Sequence, residues 1–230
     1  MTVGFRVLPR TRQVSAEQVE RFRALPVANI SDSMARMAAA GAALRPMHRG
    51  GVLAGPALTV KCRPGDNLML HYAMDIAAPG DVLVVDAGGD LTNAMIGELM
   101  TTYAEHKGLG GFVINGAIRD SRAIAEHSLP VYAAGVTHRG PYKDGPGEVN
   151  VAVAINGMVI EPGDLIIGDE DGLLCVPFAE LEAVYAKAKA KSDAEHAQLA
   201  AIAAGRSDRR WVIEALRARQ CLLPEGPVAV

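Results

Sequence analysis

Two short apolar runs with a helical stretch between them limit what this chain can fold into. Val82-Leu83-Val84-Val85-Asp86 reads as a buried strand that runs into the loop Ala87-Gly88-Gly89-Asp90, and helical periodicity follows from Leu91 to His106. Gly110-Gly111 then leads into the second run, Phe112-Val113-Ile114-Asn115. Strands linked through a helix lie parallel and cross over with a right hand. The unit makes the chain an α/β protein. Its 230 residues, 50% of them hydrophobic, suffice for one large core or two small ones. With 24 glycines and 4% aromatic residues it suits many short turns, not a coiled coil or a disordered chain.

The pattern extends in both directions. Ser15 to Leu25 predicts a helix, with Ser15 and Gln18 placed as a capping box. Asn29 to Ala40 predicts a second helix, ended by Gly41. Gly51 to Cys62 predicts a strand that Pro56 breaks or confines to an edge. Asp66 to Ile76 predicts a helix ahead of the Pro79-Gly80-Asp81 turn. Beyond Gly116-Ala117-Ile118-Arg119-Asp120, a helix to about His127 and a strand from Pro130 to Val136 are expected. From Val149 to Pro177 short strands alternate with turns at Asn156-Gly157, Pro162-Gly163-Asp164 and Asp169 to Gly172, an antiparallel, hairpin-rich section. Phe178 to Ala204 and Arg206 to Arg219 are helical. The expected division is an α/β core over residues 1–177, with N-terminal helices, and a C-terminal helical extension over 178–230.

Composition excludes several function classes. A formal net charge of −3 gives no dominant basic stripe for nucleic acid. No signal-peptide pattern and no span of ~20 apolar residues is found, so the expectation is a cytoplasmic protein that does not enter a membrane. Cys62, Cys175 and Cys221 form no CxxC pair, which argues against a disulfide framework or a structural zinc site. Cys62 and Cys175 read as strand core.

In a parallel α/β unit, ligands gather beyond the C-terminal ends of the strands. Two loops leave such ends here. The first, Gly88-Gly89-Asp90-Leu91-Thr92-Asn93, precedes a predicted helix N-terminus, whose unpaired N–H groups could cradle a carboxylate or phosphate. It has neither GxGxxG nor GK[ST], and an unliganded strand-to-helix turn reads equally well. The second holds Arg119-Asp120. Arg can grip a carboxylate or oxo group, and Asp is a hard oxygen ligand suited to Mg²⁺. A surface ion pair, or Asp120 as a helix N-cap, is the plainer alternative. His71, His106 and His127 have no metal-ligand spacing and read as helix surface or core. Asp32 reads as a helix cap or a substrate contact, and Met69, Met74, Met95 and Met100 as core.

Gly97-Glu98-Leu99, then twenty residues from Leu99 to Ile118, then Arg119-Asp120, resembles the signature of the RraA-like family. The resemblance takes in Pro79 to Asp86, Gly88-Gly89, Gly111 to Asp120, Pro162-Gly163-Asp164 and Gly168 to Gly172, and covers most of residues 27–205. That family joins 4-hydroxy-4-methyl-2-oxoglutarate and 4-carboxy-4-hydroxy-2-oxoadipate aldolases to regulators of ribonuclease activity. The resemblance implies a swivelling-domain-like core and a class II aldolase using Mg²⁺ or Mn²⁺ on a small 2-oxo acid. It implies that Asp120 binds the metal, partly through waters, and that Arg119 contacts the 2-oxo group and stabilises the enolate. Backbone N–H groups of Thr92, Asn93, Ala94 and Met95 would hold the pyruvate carboxylate. Glu98 would position a water on the metal for proton transfer. These roles agree with the charge that develops in retro-aldol cleavage. Lys61, Lys107 and Lys143 stand in no context for a Schiff base, so a lysine mechanism is disfavoured.

The family's aldolases also take a glutamate from a neighbouring subunit, and Glu195 falls at the matching place on a C-terminal helix. Ala186, Ala190, Ala194, Ala197 and Ala201 give that helix an apolar face. The resemblance thus implies a homotrimer or homohexamer with sites at subunit interfaces. The alternative is a protein that inhibits an RNase E-like ribonuclease; the Glu195 helix argues against it. Asn115, where Asp is frequent, and His138, where Pro is frequent, depart from the family pattern. A methyltransferase would need a glycine-rich cofactor loop after the first strand, which is missing.

Overall fold

The computed structural model of the protein describes residues 4–37 and 40–223, which pack as two compact units, Met1–Lys189 and Ala190–Val230. In the first unit the strands are β1 (Phe5–Val7), β2 (Arg45–Pro46), β3 (Leu53–Cys62), β4 (Val82–Asp86), β5 (Ala94–Ile96), β6 (Gly111–Ile118), β7 (Val131–Val136), β8 (Gly147–Val149), β9 (Val153–Ile155), β10 (Met158–Ile160), β11 (Leu165–Asp169) and β12 (Gly172–Val176). The helices are α1 (Ala16–Arg23), α2 (Val27–Ser33), α3 (Leu68–Ile76), α4 (Glu98–His106), α5 (Ser121–Glu126), α6 (Leu181–Ala203) and α7 (Arg210–Ala218), of which α7 lies in the second unit and α6 runs into it.

The sheet runs β1-β8-β3-β4-β6-β7-β2, with β5 on β6 and the β11–β12 hairpin on β3. β3, β4, β6 and β7 are parallel neighbours, as the crossover rule demands. The hairpin-rich section is also present: β9 pairs antiparallel with β10 across Asn156-Gly157, and β11 with β12. Central strands buried on both faces explain why the two runs are continuously apolar instead of alternating. On β4, Leu83 and Val85 enter one core with Met69, Leu70 and Ile114, while Val82 and Val84 enter another with Val113, Tyr132, Val153 and Ile155. Cys62 and Cys175 are buried on strands; burial pushes the Cys62 thiol up to about 12.

Three expectations need correction. The helix drawn from Leu91 to His106 starts only at Glu98. Asp90 captures the Thr92 N–H (3.2 Å) and hydroxyl (2.8 Å), closing a turn that competes with helix, and 94–96 pair with β6 instead. The helix drawn from Asn29 to Ala40 spans Val27–Ser33; Ala35 (φ 54°) and Arg36 (φ 62°) are left-handed and end it, and 38–39 lie outside the described residues. Pro56 does not break β3: residues 53–56 pair with β11 and 57–61 with β4, so Pro56 ends the stretch with one partner strand and sits where the strand changes partner. On α6, Leu181, Val184 and Ala188 are buried and Ala186 is exposed in the first unit; Ala190, Ala194 and Ala197 are exposed in the second. The short strands β1, β2 and β8 carry too few residues to stand out in the sequence.

Candidate active site

The site is built where β6 ends and α4 begins. Arg119 leaves β6 with its N–H on the carbonyl of Ile96 (3.0 Å), so β5 and the end of β6 are tied together. Asp120 is left-handed (φ 55°) and opens α5, but its side chain does not cap that helix. It turns to α4 and accepts the N–H of Glu98 at 3.0 Å through Oδ2. This replaces the helix-cap reading of Asp120: the carboxylate serves the N-terminus of a different helix. Arg119 Nε lies 3.7 Å from the same Oδ2, too long for a hydrogen bond. The guanidinium is therefore neighbour to the carboxylate but is not locked by it. Gly97 makes this approach possible. A Cβ there would lie 2.9 Å from Arg119 Cγ and closer still to Asp120 Oδ2.

Arg119 lines two concavities. One is a wide groove of about 620 Å³ with Asp120, Ser121, Arg122, Thr137 and His138. The other is a narrower cavity of about 170 Å³, with Met95, Gly97, Leu99, His71 and Lys143 in its lining. A helix leaves its first-turn N–H groups without intrahelical partners. At α4 that of Glu98 is engaged by Asp120 and that of Met100 by the Gly97 carbonyl (3.1 Å), and Leu99, between them, lines the narrower cavity. Burial, then the charge of Lys143, holds the pKa of His71 below its ordinary value, with Asp75 acting in the opposite direction.

The expected site residues are placed as follows. Arg119, Asp120 and Glu98 come together, with the Glu98 side chain exposed. Thr92, Asn93, Ala94 and Met95 do not form a helix N-terminus, because the helix starts later. The N–H groups of Thr92 and Asn93 go to Asp90 Oδ2 (3.2 and 3.4 Å), and that of Ala94 to the carbonyl of Arg139 (2.8 Å). Met95 is the member of that set that lines the narrower cavity. Glu195 lies in the second unit, where Lys191 pairs with it at 3.0 Å. Asp32 pairs with Arg36 at 2.7 Å near the end of α2.

His71 and Lys143, read from the sequence as bland or without context, belong to the cavity lining. Their elements, α3 and the loop after β7, are far from Arg119 in sequence, and no local pattern links them. A hint for Lys143 was available: Pro141 and Pro146 bracket it, a mark of a stiffened loop.

Among the described residues no group of three or more His, Cys, Asp or Glu converges as a metal cage. The chemistry of Asp120 fits a different kind of site. It offers one hard, half-exposed carboxylate in an open groove, oriented by the Glu98 N–H. Mg²⁺ is commonly held by one or two carboxylates while keeping several waters.

Residues 27–175 match the RraA-like family, described as Aldolase/RraA. A protein of Halalkalibacterium halodurans, described as "Putative 4-hydroxy-4-methyl-2-oxoglutarate aldolase", is 38% identical over 190 residues, covering 83% of this chain and 90% of that one. Among solved structures, an uncharacterized protein from Pseudomonas syringae pv. tomato shares the fold with a TM-score of 0.76 at 24% identity, over 84% of this chain and 95% of that one. Streptomyces coelicolor RraAS2, described as an unusual member of the RNase ES inhibitor RraA protein family, superposes with a TM-score of 0.73 at 26% identity, over 80% and 96%.

Proposed function

The chain belongs to the RraA-like family, and on that premise we propose that it is a divalent-metal-dependent aldolase. It cleaves 4-hydroxy-4-methyl-2-oxoglutarate or 4-carboxy-4-hydroxy-2-oxoadipate to pyruvate plus pyruvate or oxaloacetate. One observation carries this reading: Arg119, Asp120 and the N-terminus of α4 meet at a single point beside a small cavity. Cleavage of the C3–C4 bond sends its electron pair into the 2-oxo unit and leaves an enolate. A cation and oriented N–H groups placed there in advance are what such a transition state needs.

Arg119 holds the 2-oxo oxygen and balances its developing charge. The substrate carboxylate lies at the start of α4 beside Leu99, where the helix dipole favours an anion; the N–H groups on either side are engaged, Glu98 by Asp120 and Met100 by the Gly97 carbonyl. This is the cradle assigned from the sequence to Thr92–Met95, moved to the observed helix start. Asp120 would hold Mg²⁺ or Mn²⁺, which when bound supplies electrophilic stabilisation of the enolate. Glu98 positions the water that protonates C3 of the enolate to yield pyruvate. The subunits form a homotrimer or homohexamer, and Glu195 of a neighbouring copy helps the 4-hydroxyl lose its proton. Oxaloacetate decarboxylation, which passes through the same enolate, is a side activity.

The test is pyruvate release from both acids, coupled to lactate dehydrogenase. Release should stop with EDTA and return with Mg²⁺ or Mn²⁺; undiminished release after exhaustive chelation would refute the metal role. Mixing inactive Glu195→Ala and Asp120→Ala subunits should restore some cleavage, and failure after confirmed subunit exchange would remove Glu195 from the site. The likeness to RraAS2 supports a second reading, inhibition of an RNase E-like ribonuclease. A chain that slows such a nuclease and releases no pyruvate would establish it.

A further inference from the structure

The narrower cavity carries more positive charge than one enolate requires. The cations Arg119 and Lys143 both line it, with the His71 ring beside them, and no acidic residue does, in a chain whose formal net charge is −3. Its volume of about 170 Å³ is roughly the liquid volume of five or six waters, the scale of a small acid.

Lys143 is held there by its backbone. Asp66 is 1% exposed and accepts the N–H groups of Asp144 (2.7 Å) and Gly145 (2.9 Å) on one oxygen and that of Leu68 (3.0 Å) on the other. On the other side of Lys143, the Tyr142 N–H donates to Gly65 O at 2.8 Å, and Tyr142 O accepts the Asn67 N–H at 3.0 Å. The chain before and after Lys143 is thus tied to the start of α3, the helix that carries His71. Asn67 in turn ties that start to β5, its Nδ2 donating to Met95 O at 2.8 Å. Burial outweighed by these N–H groups and by Arg63 leaves the Asp66 carboxyl below its ordinary pKa, so the anchor is charged at neutral pH. Of the acids nearby, Asp75 accepts the Tyr103 hydroxyl at 3.2 Å, and the exposed Asp144 lies 4.0 Å from Arg63.

We propose that Lys143 and His71 form the subsite for the substrate's second carboxylate, and so set the preference for acids charged at both ends. The inference rests on the aldolase reading: Arg119 and the first turn of α4 account for the 2-oxo-acid end, and the remaining charge of such a substrate needs a partner. Lys143 supplies a point charge and His71 a ring N–H, both from elements locked to one another by Asp66.

The experiment compares two substrates cleaved in the same way, 4-hydroxy-4-methyl-2-oxoglutarate and 4-hydroxy-2-oxopentanoate, which lacks the distal carboxylate. Exchange of pyruvate methyl protons in D₂O is followed in parallel. The wild type should prefer the diacid in kcat/KM. Lys143→Met should lower kcat/KM for the diacid about 10- to 100-fold, the range of one charge-assisted hydrogen bond, and erase the preference. Pyruvate exchange should fall far less, and Lys143→Arg should restore much of the preference. His71→Gln should weaken it in the same direction. If Lys143→Met lowers both cleavages and exchange alike, or leaves the preference intact in a folded protein, the subsite is wrong while the aldolase reading stands. A wild type that exchanges no pyruvate protons and cleaves neither acid overturns both.

Discussion

β4 and β6 are parallel neighbours, in register from Val82↔Gly111 to Asp86↔Asn115, and each ends in a loop furnished with polar residues. After β4, those residues bond within the loop or to the adjoining strand. Asp86 accepts the N–H of Gly88 (3.0 Å) and the side chain of Asn115 (2.9 Å), while Asp90 takes Thr92. Gly88 and Gly89 (φ 68° and 71°) supply the left-handed backbone the turn needs. After β6, Arg119 and Asp120 stay half-exposed, and Asp120 reaches across to another helix. In sequence both loops look able to bind an anion or a cation. Polar groups that satisfy one another build a turn; groups left facing a cavity are available for a ligand.

The comparison can be broken by substitution, and the largest effect is expected after β6. Arg119→Lys keeps the charge and loses the planar fork; pyruvate release should fall on the order of 10²-fold or more with folding unchanged. Near-native turnover would make Arg119 structural and put the two loops on the same footing. Next is Gly97→Ala. Its backbone is extended (φ −154°), so the new methyl meets no backbone strain, only Arg119 and Asp120. Those side chains can move aside, and the fold should survive. Catalysis should still drop roughly tenfold or more, because sub-ångström placement is what the site supplies. An active Gly97→Ala enzyme would show that the close approach at α4 is dispensable. The smallest effect is expected after β4. Asn115→Asp sets a second carboxylate against Asp86 and removes the donor between them. A loss of about 1–2 kcal/mol in stability is expected, read by denaturant unfolding, with little change in turnover. A large loss of turnover at unchanged stability would make the β4 loop part of the site.

The parallel core was legible because buried strands write themselves as apolar runs, and the hairpins because Asn156-Gly157 and the Gly-Asp turns have local chemistry. Ser15 and Gln18 formed the expected capping box for the same reason. Arg119 and Asp120 were legible by resemblance and by their position after a strand. What escaped was set by tertiary partners. Ala94 to Ile96 became a strand because β6 offered an edge, which no local propensity announces. His71 and Lys143 acquire meaning from a cavity that four separate segments build together.

The changeover in β3 has a mechanical consequence. Its first four residues are laced to β11 and its next five to β4, so one continuous backbone joins the hairpin section to the parallel sheet. Neither part can peel away without tearing the middle of the same strand. Within the first unit, the hairpins and the sheet beneath the site should therefore exchange their amide hydrogens as one cooperative block. Separate protection classes on either side of Pro56 would show that the strand is a hinge and not a spine.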